Sequence, residues 1–248
     1  MDPLVISLGG SLVSTPQGID VAYLKNFKRV IEEQLKTGRR IYIVIGGGAI
    51  CRTYNEALKR LDITAQEDLD WMGIYATRVN TKLLQVIFAS SAAPTLITTK
   101  NDLALVEGYQ VALSGGWQPG SSSDGAAVEM ARALQAGTIV NLTNIDYVYS
   151  DDPKHNLGAL PIKDLSWTDY LKIIPAKREP GGNYPFDPVA SRLAQKAGIS
   201  VAIMNGANLE NFEHYLNGKE WKGTMIGATS SGSATCPALN GRIAQLVE

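Results

Sequence analysis

The run Ile41-Tyr42-Ile43-Val44-Ile45 passes without a break into Gly46-Gly47-Gly48, and Ala49-Ile50-Cys51-Arg52 follows as a helix start. An apolar, β-branched run of this length is a buried strand. Three glycines then strip every Cβ from the turn. Backbone N–H groups at such a strand–turn–helix junction point at an anion, and the helix N-terminus adds partial positive charge. Arg52, in the first turn, can fork onto a phosphate. Three successive glycines cost backbone entropy without adding to a core, which favours a binding role over a plain tight turn.

The same device recurs along the chain. Leu4–Leu8 is a strand ending in Gly9-Gly10-Ser11. Asp20 caps a helix with the apolar face Val21, Leu24, Phe27, Ile31 and Leu35, and Gly38 ends it. Strand 41–45 and a helix to about Arg60 follow. Thr64-x-x-Glu67 has capping-box spacing and opens a helix to about Ser90. Thr95–Thr98 and Tyr109–Leu113 are strand-like, the second leading into the Gly/Ser-rich loop Ser114–Ser123. Asp124 opens a small-residue helix, Gly125–Ala136, before strand Thr138–Leu142. Thr143–Pro153 is turn-rich, Ser166-x-x-Asp169 caps a short helix, and 175–186 is a Pro/Gly loop. Asp187 opens a helix to about Ala197. Strand Ser200–Met204, helix 208–217 and strand Gly223–Ile226 complete the pattern. Strands and helices alternate almost throughout, so the expected fold class is α/β: a three-layer sandwich with helices on both faces of a central, mainly parallel sheet. Residues 1–228 are expected to form one domain, and the Ser/Gly-rich 229–248 a flexible tail.

Charge and cysteine content narrow the function. With 23 basic and 24 acidic residues the net charge is −1, which argues against a nucleic-acid-coating surface or a polybasic membrane anchor. Cys51 and Cys236 have no CxxC spacing, which fits a reducing compartment and offers no zinc site or disulfide framework. No run reaches the roughly 18 apolar residues of a membrane span, and the N-terminus leads straight into a strand rather than a signal peptide. The expectation is a cytoplasmic protein with no nucleic-acid or membrane partner. His155 and His214 lack triad or metal spacing, so no metal ligands are assigned.

Four glycine-containing turns, 9–11, 46–48, 114–120 and 205–206, follow strands. In a parallel sheet they share the carboxyl edge, where ligands bind. None reads GxxxxGK[ST] or GxGxxG before a helix, which excludes a P-loop and leaves a dinucleotide fold unsupported. Asp124 after Ser121-Ser122-Ser123 is either a helix N-cap or part of a phosphate site. Asp70, beside Glu67 and Asp68, is either a solvated acidic face or a ligand group. Thr77, Arg78 and Asn80 lie on an otherwise apolar helix and need partners. Tyr149, after Thr143-Asn144-Ile145-Asp146, either packs in the core or flanks a nucleobase.

VISLGGSL (5–12), IVIGGGAICR (43–52), DWMGIYATRVN (70–80), PGSSSDGAA (119–127), LTNIDYVYSDDPK (142–154), DPVASRLAQKAG (187–198) and KGTMI (222–226) together resemble the amino-acid kinase superfamily, and within it the archaeal-type uridylate (UMP) kinases. They fall in the family's order over residues 4–227, and the TNxDxVYxxDPK string is the most specific piece. The resemblance implies an acceptor-binding N-terminal half and an ATP-binding C-terminal half. It implies ATP with Mg²⁺ as phosphoryl donor, UMP as acceptor in pyrimidine nucleotide biosynthesis, and a homohexamer. Carried over by motif, Gly10, Ser11, Gly48 and Arg52 face the ATP phosphates, and Thr143, Asn144, Tyr149 and Asp152 hold its adenosine side. Gly47, Asp70 and the loop Trp117, Gln118, Pro119, Gly120, Ser121, Ser122 and Ser123 hold UMP, with Asp70 on the ribose. Arg52 and Asp124 are the residues assigned to catalysis, Asp124 organising the glycine turns or the metal.

The chain departs from the family pattern in three places. Ser7 stands where many members carry lysine, with Arg52, Lys154 and Lys222 as candidate replacement cations. The acceptor loop has Trp117 and three serines where the archaeal-type pattern resembles THPGHTTD, and Tyr147 stands where a glycine is usual. Two alternatives therefore stay open: another kinase of the superfamily with a carboxylate, carbamate or small phosphate ester as acceptor, and a non-catalytic nucleotide- or oxyanion-binding storage protein.

Overall fold

The computed structural model describes residues 2–151, 153, 155–177 and 184–227. The strands are β1 (Leu4–Leu8), β2 (Ser14–Thr15), β3 (Gly18–Ile19), β4 (Ile41–Ile45), β5 (Val111–Ser114), β6 (Thr138–Thr143), β7 (Val148–Tyr149), β8 (Pro161–Ile162), β9 (Asp164–Ser166), β10 (Ser200–Asn205) and β11 (Thr224–Gly227). The helices are α1 (Val21–Leu35), α2 (Gly48–Arg60), α3 (Gln66–Ile87), α4 (Ser123–Ala133), α5 (Trp167–Ile173), α6 (Pro188–Ala197) and α7 (Leu209–Leu216). Seven strands form the central sheet in the order β5-β4-β1-β6-β10-β11-β9. Every neighbouring pair is parallel except β10 with β11. The α/β sandwich expected from the alternation is the fold observed. The tail 229–248 and Asp152 lie outside the described residues.

Successive residues of the central strands enter opposite cores, as the two-residue period requires. Val5, Tyr42, Val44, Ala112, Ile139 and Val201 pack under α4, α5 and α6. Ile6, Leu8, Ile43, Ile45, Val140 and Ala202 pack under α1 and α7. Because both faces are covered, strands such as β4 are apolar at every position.

Local signals set several helix ends. The Asp20 carboxylate accepts from the Tyr23 amide at 2.8 Å, Ser166 caps α5, and Asp187 caps α6 with Pro188 in its first turn. Leu24, Phe27, Ile31 and Leu35 are buried as expected, but Val21, at the first position of α1, is 71% exposed. The Thr64–Glu67 capping box does not form. Ala65 is the N-cap with extended backbone, which places the Thr64 hydroxyl one residue too early, and α3 ends at Ile87 rather than near Ser90. Thr95–Thr98 is not a strand. Only the bridges Ala92 to Val111 and Ile97 to Ser114 form, so this segment spends five residues where β5 spends three and bows out around Pro94.

Phe27 joins the elements of one face. Its ring lies 5.9 Å from Tyr23, 6.4 Å from Phe88 after α3 and 6.5 Å from Phe212 on α7. It is fully buried, so Phe27→Ala is expected to lower unfolding free energy by about 3–5 kcal/mol in urea titration.

Candidate active site

The topology places a crevice at one point of the sheet edge. From β1 the chain moves to β4 on one side, whereas β6, on the other side of β1, leads outward to β10. Connections diverge there, and the carboxyl ends of β1 and β6 are where an open α/β sheet holds ligands.

Two glycine turns meet at this point. A Cβ on Gly10 would lie 2.2 Å from the Gly48 nitrogen and 2.4 Å from the Gly46 carbonyl carbon. Gly48 has φ +62°, and its own Cβ would lie 2.3 Å from the Gly10 oxygen. The glycines therefore have a steric reason that the sequence reading did not supply: backbone packs directly on backbone. Asn80 of α3 donates its Nδ2 to the carbonyls of Gly46 (2.9 Å) and Gly47 (3.1 Å). In a trans peptide the next N–H points opposite to the carbonyl. The Gly47 and Gly48 amides thus face away from Asn80, and as the first amides of α2 they have no acceptor within it. Gly10 and Ser11 form a 3₁₀ turn, Gly10–Leu12, on the other side of the contact. Arg52 is exposed on α2 and makes no hydrogen bond or ion pair with a described residue.

Polar residues take over the face beneath α4 at the strand ends. Ser7, Ser114 and Asn141 continue the alternation of Val5, Ala112 and Ile139, and all three are buried. Ser7 Oγ donates to one carboxylate oxygen of Asp124 at 2.8 Å, and the Asp187 amide donates to the other at 3.0 Å. Ser122, not Asp124, is the N-cap of α4, accepting from the Gly125 amide at 3.2 Å. The capping reading of Asp124 is thereby corrected: its carboxylate ties β1 to the start of α6. Asn141 donates to the Pro185 carbonyl at 2.7 Å, and the Tyr170 hydroxyl exchanges hydrogen bonds with the Phe186 backbone.

The loop after β5 is stapled to α3. Asp70 accepts from the Gly120 amide (2.7 Å) and from Gln66 (2.8 Å), and Thr77 Oγ1 accepts from the Gly116 amide (2.7 Å). Asp70 and the loop Trp117–Ser123 are therefore together, as expected. Trp117 does not project outward: its Nε1 donates to Ser114 Oγ at 2.8 Å and its ring packs against the core beneath α4. Gln118 and Gly120 are exposed, while Pro119, Ser121, Ser122 and Ser123 are half-buried. Thr77 Oγ1 and Asn80 Nδ2 find partners, whereas the buried Asn80 Oδ1 and Arg78 Nε have none among the described residues, and Arg78 lies over the Tyr75 ring, 5.7 Å from its centroid.

Thr143 and Asn144 stand at the end of β6, next to the first turn, because the Gly9 amide donates to the Leu142 carbonyl at 2.8 Å. The Asn205 side chain donates to Asp146 (3.0 Å), and the Val148 amide donates to Thr224 Oγ1 (2.8 Å). Tyr149 is half-buried on β7 rather than in the core. Burial, then the Asp146 charge, push its phenol above the ordinary value, so it stays a neutral donor at neutral pH. Among the described residues no three His, Cys, Asp or Glu side chains group as a metal site. No helix among them is long and apolar enough to cross a membrane.

The pattern of the amino acid kinase family matches residues 2–205. The chain belongs to the amino acid kinase family. Within it, the chain is 31% identical over 228 residues to the uridylate kinase of Hyperthermus butylicus, covering 91% of this chain and 98% of that one. It is 30% identical to the uridylate kinase of Thermoplasma acidophilum, covering 91% and 96%. The crystal structure of uridylate kinase from Archaeoglobus fulgidus superposes with a TM-score of 0.76 at 29% identity, over 91% of this chain and all of that one. UMP kinase from Bacillus anthracis, at 21% identity and a TM-score of 0.75, shares the fold.

In this amino acid kinase fold, Gly10→Ala is expected to cost more than ~4 kcal/mol, since the clash is with backbone and cannot be relieved by a rotamer. An unchanged denaturation midpoint would contradict the contact.

Proposed function

We propose that the protein is a uridylate kinase, transferring the ATP γ-phosphoryl group to UMP to give UDP and ADP. The observation that carries the reading is the meeting of two glycine turns at the diverging point of the sheet, flanked by the Asp70 loop on one side and the Thr143–Tyr149 turn on the other. Phosphoryl transfer asks little covalent chemistry of a protein; it asks for two anions in line and donors around the transferring group. Curated relatives of matching length carry the name uridylate kinase.

The residue roles are those the family motifs suggest, and the placements above are compatible with them. Amides at Gly10, Ser11 and Gly48, with the exposed Arg52, receive the donor phosphates; Gly47 and the serines of 121–123 receive the acceptor phosphate. Asp70 accepts from the uridine ribose hydroxyls, for which it must share or release the Gly120 amide. Thr143, Asn144 and Tyr149 hold the adenosine, and the family motif adds Asp152, which lies outside the described residues. UMP attacks through a phosphate oxygen already ionised at neutral pH, so no general base is needed. Asp124, held by Ser7 and the Asp187 amide, fixes β1, α4 and α6 around the transferring group. The residues fit Mg²⁺ carried on the nucleotide, because this ion keeps several waters and takes only one or two carboxylates. Asp124 is the carboxylate that would hold it, and the charge of the ion would offset that of the phosphates. Self-association is favoured by Trp71, Tyr75 and Val79, exposed along one side of α3.

ADP release is to be followed with ATP and Mg²⁺ against UMP, CMP, AMP, dUMP, carbamate and acetylglutamate. Turnover with UMP above all others is expected. Turnover with another acceptor, or ATP binding without turnover, would overturn the assignment. Asp70→Asn is expected to raise KM for UMP about tenfold, a charged hydrogen bond's contribution, while leaving KM for ATP unchanged.

A further inference from the structure

Tyr170 of α5 is the largest side chain that is completely buried among the described residues, and none of the roles above involves it. Its hydroxyl donates to the Phe186 carbonyl at 2.9 Å and accepts from the Phe186 amide at 2.8 Å. The next amide along the chain, that of Asp187, donates to Asp124 at 3.0 Å. We propose that Tyr170 is a positioning residue for phosphoryl transfer: it aims the Asp187 amide at the Asp124 carboxylate and so holds that carboxylate beside the transferring group. The inference rests on the kinase reading and on the role given there to Asp124.

The link is a matter of peptide geometry. The Phe186 carbonyl and the Asp187 amide belong to one planar, trans peptide, in which C=O and N–H point opposite ways. A hydroxyl fixed on the carbonyl therefore fixes the direction of the amide. The preceding peptide is held in the same manner. Asn141 donates to the Pro185 carbonyl at 2.7 Å, and Tyr170 takes the Phe186 amide on the other side. All four polar groups of these two peptides are thus paired, two of them on the single Tyr170 oxygen. The chain beyond has no slack, because the Asp187 carboxylate accepts from the amides of Val189 (2.8 Å) and Ala190 (2.9 Å) at the start of α6.

The hydroxyl is itself fixed. The Tyr170 ring meets Trp167 edge to face, with centroids 6.0 Å apart at 75°, and Trp167 lies 6.4 Å from the Phe186 ring. Trp167 Nε1 donates to the Ile199 carbonyl at 3.0 Å. Burial, first, holds the phenol well above its ordinary pKa; the Phe186 backbone bond works against this, and the Asp124 and Asp187 charges add to it. Tyr170 thus stays a neutral donor to the Phe186 carbonyl. Packing alone would be met by phenylalanine, since the hydroxyl adds a polar atom to the core that burial penalises unless it is bonded. Its bonds matter to the reaction because phosphoryl transfer draws on orientation, and a misplacement of about 1 Å can slow an enzyme about 10²-fold.

The test is steady-state kinetics of the full chain with ATP, Mg²⁺ and UMP, paired with hydrogen exchange of the Asp187 amide read by NMR. Tyr170→Phe keeps the ring and removes the hydroxyl. It is expected to lower kcat about tenfold, to leave KM for ATP and for UMP within about twofold, and to speed exchange of the Asp187 amide. Calorimetric titration with a non-hydrolysable ATP analogue, bound as by the parent, reports that the variant is folded. In an Asp124→Ala background there is no carboxylate to aim, so adding Tyr170→Phe is expected to leave the residual kcat unchanged. Labelled γ-phosphate keeps that turnover measurable after the loss of about 10²–10³ usual for one electrostatic group. Asn141→Leu, which frees the same segment at Pro185, is expected to reproduce the fall in kcat even where Tyr170→Phe does not fold. An unchanged kcat or an unchanged Asp187 exchange rate in Tyr170→Phe, or an equal fall in kcat with and without Asp124, would overturn the inference and leave the kinase reading standing. A parent protein that phosphorylates no acceptor would overturn both.

Discussion

Backbone at Gly10 touches backbone at Gly46 and Gly48 with no room for a Cβ on either side, and most of the site is arranged around that contact. It brings the ends of β1 and β4 close enough for two sets of helix-start amides to border one crevice. It also needs Gly48 at positive φ, a conformation that a side chain would oppose. Asn80 holds the second turn from behind through its carbonyls, so the peptide planes are set before any anion arrives. Preorganised donors of this kind stabilise developing charge without reorganisation at the moment of transfer.

Around the contact, the structure converts strand ends into anchors. Ser7, Ser114 and Asn141 would be apolar if the α4 face continued unchanged to the edge. Each instead bonds to one of the segments that surround the crevice: Asp124 at the start of α4, Trp117 in the loop after β5, and Pro185 before α6. A net stabilisation of about 0.5–1.5 kcal/mol per bond is modest. Leaving any of these buried groups unpaired would cost more, so the three loops are held where they are by the penalty for letting go.

Much of this was legible in the sequence where the signal was local. Strand 41–45 ends where the glycines begin, and the caps Asp20, Ser166 and Asp187 act within three residues of themselves. The Thr64–Glu67 box has the right letters but sits one residue early. The two-residue strands β2, β3, β7 and β8 and the edge strand β9 are too short for periodicity to register. The Ser7–Asp124 bond spans 117 positions, and no local pattern announces it; Ser7 read only as a missing lysine. The triple glycine reads as an anion-binding turn in preference to a plain tight one, and its steric reason is not legible because the second turn that packs on it lies far away in the chain. Polar residues on the apolar α3 were a usable clue, and Thr77 and Asn80 both turned out to hold site loops.

The central claim is that one glycine floor serves both nucleotides. Calorimetric titration with a bisubstrate, adenosine joined to uridine through five phosphates, tests it directly. The account predicts one molecule per chain, bound at least ~100-fold more tightly than ATP or UMP alone and displaced by either. Binding no tighter than ATP, displaced by ATP but not by UMP, would contradict it.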